Sequence, residues 1–118
     1  MKGLLTPVVL AGVLAACGAD TIAATPVDRG TELVQDLGCV VCHDGTRPEL
    51  GPTWNGIWNE SRVDINGSTV LVDADYIRSS INFPQQVIAG DYRGFMPPYA
   101  LSDAEIADIA AFIETLTP

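Results

Sequence analysis

Five consecutive residues, Cys39-Val40-Val41-Cys42-His43, concentrate the reactive side chains of this sequence. Two thiols three positions apart with a histidine directly after them form the C-x-x-C-H arrangement that attaches haem. The spacing has a physical reason. Each thiol can add across one vinyl group of the same porphyrin, and the next residue is then held beneath the iron, where its imidazole becomes the fifth ligand. Covalent attachment also keeps a large group in a small, shallow pocket. Three other chemistries use similar residues. A thioredoxin-like redox pair requires a βαβ context, which the surrounding pattern does not offer. A structural zinc site requires four ligands, whereas apart from Cys17 the sequence has two Cys and one His. A disulfide between Cys39 and Cys42 would leave His43 unexplained. Attachment of one haem c is the reading that uses all three residues.

The sixth iron ligand follows by elimination. His43 is the only His, Lys2 the only Lys, and the two Met are Met1 and Met96. Met96 lies in Phe95-Met96-Pro97-Pro98, where two prolines stiffen the backbone, and it is the candidate axial ligand; filling a gap in the core is its alternative role. Imidazole and thioether together raise an iron reduction potential. A filled sixth position leaves no open site for oxygen or peroxide, so a one-electron carrier is expected rather than a catalyst, with no small-molecule substrate. The alternatives are a small peroxidase-like or gas-binding haem enzyme, which requires Met96 to leave the iron easily, and a docking subunit whose haem serves the fold. The Pro52 carbonyl is the candidate acceptor for the His43 Nδ1–H, which would set the ring's orientation and basicity. Trp54, Trp58 and Tyr92 are candidate haem contacts, with ordinary packing as the alternative for each. Arg47, Arg62 and Arg93 are candidates for the haem propionates; a solvated surface position is the favoured reading for each.

The N-terminus reads as an address rather than as fold. Met1 and Lys2 precede an apolar run from Leu4 to Ala16, broken by Pro7 and Gly12. The run is too short to span a bilayer and has the layout of a secretory signal peptide. It ends in Leu14-Ala15-Ala16-Cys17, which resembles the lipobox of bacterial lipoproteins. In that family the Cys receives a diacylglyceryl group and becomes the first residue, and several acyl chains hold a protein stably on a membrane. An ordinary signal peptide cleaved elsewhere is the alternative. The expected organisation is therefore a signal peptide over 1–16, lipidated Cys17 with a linker over 17–27, and one domain over 28–118, on the extracytoplasmic (periplasmic) side of a membrane. After that processing five Arg face fifteen Asp and Glu, a formal charge of −10. Such acidity argues against nucleic acid or an anionic lipid surface as partner. It suits membrane redox complexes that present a basic patch or an apolar one, and it also serves solubility.

The elements that must position these residues are legible in outline. The sequence predicts a helix from about Asp28 to Leu37, with Leu33, Val34 and Leu37 on one face and Gly38 at its end. A long loop marked by Gly and Pro runs from Asp44 to about Asn59. Residues Arg62 to Val72 read as a β-hairpin turning at Asn66-Gly67. A further helix is expected after Asp73 and before Pro84, burying Ile77 and Ile81. The last helix is the best marked: Ser102 and Glu105 form a capping box, Leu101 can staple onto Ile106, and Ile106, Ile109, Ala110, Ile113 and Leu116 line one face.

Taken together, these residues resemble a class I cytochrome c. The matching pieces are Gly30, the Cys39–His43 motif, Gly-Pro-Thr-Trp-Asn-Gly-Ile-Trp at Gly51 to Trp58, Phe-Met-Pro-Pro at Phe95 to Pro98 and the amphipathic last helix. The resemblance implies a mainly α fold, three or more helices around one covalently bound haem, here with a small β-hairpin insertion. It also implies that the first and last helices cross near a small residue, for which Gly30 and Phe112 are the corresponding pair. The family usually has an aromatic residue on the first helix facing this crossing; this chain offers Val34. A closer similarity is to the haem domain of subunit II in caa3-type cytochrome oxidases, carried by Asp73, Tyr76, Ile77, Arg78, Ser80, Ile81 and Pro84. That similarity implies electron delivery to a terminal oxidase, here from a free-standing lipoprotein without the copper domain.

Overall fold

The computed structural model describes residues 22–87, 92 and 95–118. The signal peptide, lipidated Cys17 and Arg93 assignments lie outside the described residues. Helix α1 spans Pro26–Asp36. It starts two residues before the expected Asp28 because Thr25 and Asp28 cap it reciprocally: the Asp28 N–H donates to Thr25 Oγ1 (3.1 Å), and the Thr25 N–H donates to the Asp28 carboxylate (2.9 Å). Pro26 opens the helix, where its missing N–H costs nothing. After Leu37, Gly38 turns the chain into α2, the single turn Val40–His43.

Strands β1 (Ser61–Val63) and β2 (Thr69–Leu71) pair antiparallel, with Arg62 opposite Val70. The hairpin is where expected, but its loop has three residues and not two. The Asp64 N–H donates to the Ser68 carbonyl (2.9 Å) and the Gly67 N–H to the Asp64 carbonyl (3.0 Å), leaving Ile65, Asn66 and Gly67 at the tip. A two-residue Asn-Gly turn needs positive φ at both positions, and here Gly67 alone adopts it (φ +81°). The Asp64 carboxylate explains the difference, since it accepts the N–H groups of Asn66 (2.9 Å) and Ser68 (2.8 Å) and builds a local turn of its own.

Helix α3 (Ala74–Asn82) begins where Asp73 accepts the Tyr76 N–H (2.9 Å) and ends just before Pro84. A short 3₁₀ turn, Pro84–Gln86, follows. Helix α4 (Asp103–Glu114) carries the expected Ser102–Glu105 capping box. Its buried face consists of Ile106, Ile109, Ala110 and Ile113, which join Val34 of α1, Trp54, Ile57, Val72 and the α3 pair Ile77 and Ile81 in one core.

Helices α1 and α4 make the main interhelical contact, and they touch at Gly30. A Cβ at that position would collide with the Asp108 carbonyl oxygen and lie 2.9 Å from the Phe112 Cβ. One turn away Val34 is fully buried. The crossing is also locked by charge, because Arg29 grips the Asp108 carboxylate through both Nε (2.7 Å) and Nη2 (2.8 Å). Among the described residues the result is four α-helices and one two-stranded sheet, the mainly α arrangement with a hairpin that the sequence leads one to expect.

Candidate functional site

The α2 turn does for Cys39, Cys42 and His43 what one helical turn does for any residues at i, i+3 and i+4, which is to stack them on one face. The turn closes through the His43 N–H to the Cys39 carbonyl (3.1 Å). All three side chains line a single cleft of about 150 Å³. Val41, on the other side of the turn, is exposed, and Val40 packs against the core. Both cysteines are free thiols and partly buried, and burial pushes the Cys39 thiol's pKa up.

His43 is oriented by the loop that follows it. The Nδ1–H donates to the Pro52 carbonyl at 2.8 Å; a carbonyl only accepts, so the proton resides on Nδ1 and the lone pair on Nε2. Burial holds the imidazole's pKa below its ordinary 6.5, with the Pro52 hydrogen bond opposing in part. The ring is therefore mostly neutral at pH 7, with Nε2 as its metal-binding atom. Trp54 lies parallel to it, ring centroids 4.7 Å apart and planes within 8°, and the Trp54 N–H donates to the His43 carbonyl (3.2 Å). Phe112 of α4 meets the indole edge-on, ring centroids 6.3 Å apart. Gly51 completes the support, since a Cβ there would sit 3.1 Å from His43 Cε1.

Other walls of the cleft come from distant parts of the chain. Tyr76, Ile77, Ser80 and Ile81 of α3 and Ile109 and Ile113 of α4 contribute mostly apolar surface. Met96 and Pro97 line the cleft too; Met96 is half-buried, and its carbonyl accepts from Gln85 Nε2 (3.3 Å). Tyr92 lines the cleft, as does Trp54, whereas Trp58 packs against the core and is not among the lining residues. Arg47 is exposed and away from the cleft, but Arg62 lines it. The sequence reasoning missed Tyr99, Leu50 and Gln85. The Tyr99 hydroxyl donates to the Leu37 carbonyl (3.3 Å), and burial raises its pKa, with Cys39 and Cys42 adding to the shift. No local signal marks these three, because their place depends on loop return paths.

The donor set fits a covalently bound haem. Two unpaired thiols share one helix face with an imidazole whose Nε2 is unprotonated, a thioether lies in the wall of the same apolar cleft, and a buried guanidinium nitrogen, Arg62 Nε, has no partner among the described residues. The rival chemistries are less well served. Cys39 and Cys42 form no disulfide, and among the described residues no group of three or more His, Cys, Asp or Glu could hold a metal ion. A protein-family model described as cytochrome c matches residues 27–117. No curated protein matches the chain.

Proposed function

The chain belongs to the cytochrome c family, a family of haem proteins that transfer electrons, and from that premise we propose that it is a membrane-anchored monohaem carrier working outside the cytoplasm. The observation that carries this reading is the convergence of Cys39, Cys42, His43 and Met96 on one apolar cleft. Haem c, when bound, supplies an iron that cycles between ferric and ferrous states. The chain's residues supply the rest. The two thiols would hold the porphyrin as thioethers, with the sulfur and hydrogen of each added across a vinyl group. His43 Nε2 and Met96 Sδ would ligate its iron. Pro52 and Trp54 hold the imidazole in one plane, and Gln85 holds the peptide of Met96. The aliphatic lining limits water, which favours a small change in surroundings between the two charge states.

The proposed partners are membrane redox complexes, including a terminal oxidase as acceptor. The acidic composition, fifteen Asp and Glu against six Lys and Arg, supports a partner with a basic surface. Leu50 and Phe95 line the cleft and remain exposed, so an apolar contact at the same mouth is available. A lipid on Cys17 would keep the carrier beside such complexes.

Absorption spectra of matured protein, oxidised and reduced, test the reading. The expected result is a low-spin c-type spectrum whose colour survives acidic organic solvent, reduced protein that does not bind carbon monoxide at neutral pH, and loss of covalent haem yield in Cys42→Ser. Ready carbon monoxide binding would instead favour the haem enzyme with a displaceable sixth ligand. Full covalent yield from Cys42→Ser would count against the attachment assignment.

A further inference from the structure

The segment before α4 passes the cleft with little backbone support. Pro97 and Pro98 have no N–H to give, and among the described residues no backbone–backbone hydrogen bond joins residues 95–101 to the rest of the chain. Met96, Tyr99 and Leu101 pack against the core. Among the described residues, two hydrogen bonds made by side chains tie the segment down. One is the exposed contact from Gln85 Nε2 to the Met96 carbonyl. The other is the part-buried Tyr99 hydroxyl donating to the carbonyl of Leu37, 62 positions earlier in the sequence (3.3 Å). Leu37 closes α1, so its carbonyl is one of those that a helix end leaves without a partner, and no backbone N–H among the described residues reaches it. Gly38 then turns the chain at φ +72°, and Cys39 follows directly.

The Tyr99 bond therefore links the segment carrying the thioether to the turn carrying the thiols, and Leu37, Gly38, Cys39, Met96 and Tyr99 all line the same cleft. A thioether is a neutral and weak donor, so a stronger nitrogen ligand can take its place once the segment lifts. Lifting it breaks its tethers, and an equilibrium that requires a tether to break is less favourable by what that tether contributes. Resting on the haem reading above, we infer that Tyr99 is a positioning residue for the sixth ligand: its hydroxyl clasps the Met96 segment to the base of the attachment turn and keeps Met96 from being displaced. The clasp decides between two chemistries open to this cleft. Shut, it keeps the cleft for electron exchange; open, it admits an outside ligand. Gln85 holds the same segment through an exposed bond, which water replaces at little cost.

The test uses matured ferric holoprotein titrated with imidazole, a nitrogen ligand that competes with the thioether. Loss of the long-wavelength absorption band of a thioether-bound ferric haem reports the displacement. Tyr99→Phe removes the hydroxyl and keeps the ring. It is expected to lower the half-displacement concentration about fivefold, the effect of one net hydrogen bond. Haem content, and the thioether band before imidazole is added, should be unchanged. A merely structural Tyr99 would lower the urea midpoint and leave the imidazole affinity unmoved, and that result overturns the clasp alone. Wild-type protein that is colourless, or coloured without the thioether band, would overturn the reading on which the clasp rests. If Tyr99→Phe fails to mature, ultraviolet resonance Raman spectra of wild type with and without imidazole decide. A tyrosine hydroxyl that loses its acceptor as imidazole binds supports the clasp, and tyrosine bands that do not move overturn it.

Discussion

An imidazole that must hold one orientation needs contacts on several edges, and His43 has three kinds. Pro52 fixes its in-plane direction, Trp54 covers one face, and the Gly51 backbone closes the Cε1 edge. Trp54 is the contact with most at stake, because it is buried and also touches Phe112. Trp54→Ala should lower unfolding stability by about 3–5 kcal/mol, the usual cost of emptying a large aromatic site. Trp54→Phe should recover more than half, because a ring remains to stack on the imidazole. Denaturant midpoints at constant m-value measure both, and equal losses in the two variants would show that the stack itself contributes nothing. The meeting of the thiols, His43 and Met96 at one cleft was expected from sequence because the first three stand within five residues and Met96 is the only Met besides Met1. Pro52 is readable because a Gly-Pro pair after the motif marks a loop returning to the imidazole. The inward direction of Arg62 is not, because it depends on strand register, and a single arginine in an acidic chain looks like any solvated surface residue.

Between elements, the α1–α4 crossing is the contact that one atom can break. Gly30→Ala would drive a methyl group into the Asp108 carbonyl and the Phe112 side chain. Overpacking of this kind costs about 1–3 kcal/mol or more, and the expected loss appears in the urea midpoint. Asp108 gives the same crossing a pH dependence. Its hydrogen bonds from Arg29 hold its carboxyl below the ordinary 3.8, against the opposing effect of burial. A folded value below the unfolded one means stability that is fully present above about pH 4 and is lost as pH falls through the folded value. Asp28 and Glu105 are lowered by their capping hydrogen bonds and weaken over the same acid range. Comparing wild type with Asp108→Asn separates the crossing from the caps. The wild-type advantage in melting temperature should be constant from pH 5 to 8 and shrink below pH 4, while an advantage unchanged at pH 3 would remove the ion pair as its cause. The helices carrying these contacts are legible in sequence where apolar spacing and capping residues agree, as in α3 and α4. The start of α1 and the hairpin loop were less so. In both, a side chain bonding to nearby backbone, Asp28 to Thr25 and Asp64 to Ser68, decided the local geometry over periodicity or the Asn-Gly turn signal.

For the whole molecule, charge and shape act on different parts of the reaction. A formal charge of −9 is a property of the entire surface, fully legible in composition, whereas the cleft exists only once α3, α4 and the Met96 segment have closed around α2. Fields from the surface steer encounter and are screened over about 8 Å at physiological salt. Contacts at the cleft mouth, through Leu50 and Phe95, set how a partner sits once it has arrived. The two contributions separate in a stopped-flow experiment with small one-electron reagents of opposite sign. A cationic reductant should react faster at low salt and slow as salt is added; an anionic one should start slower and speed up, the two rates converging near molar salt. Substituting Phe95→Ser should leave those salt slopes unchanged and alter only the rate with a protein partner, because a neutral side chain contributes to fit and not to steering. If both reagents instead react equally and without salt dependence, electron exchange occurs at a face where the acidic charges cancel, and a basic partner surface is no longer called for.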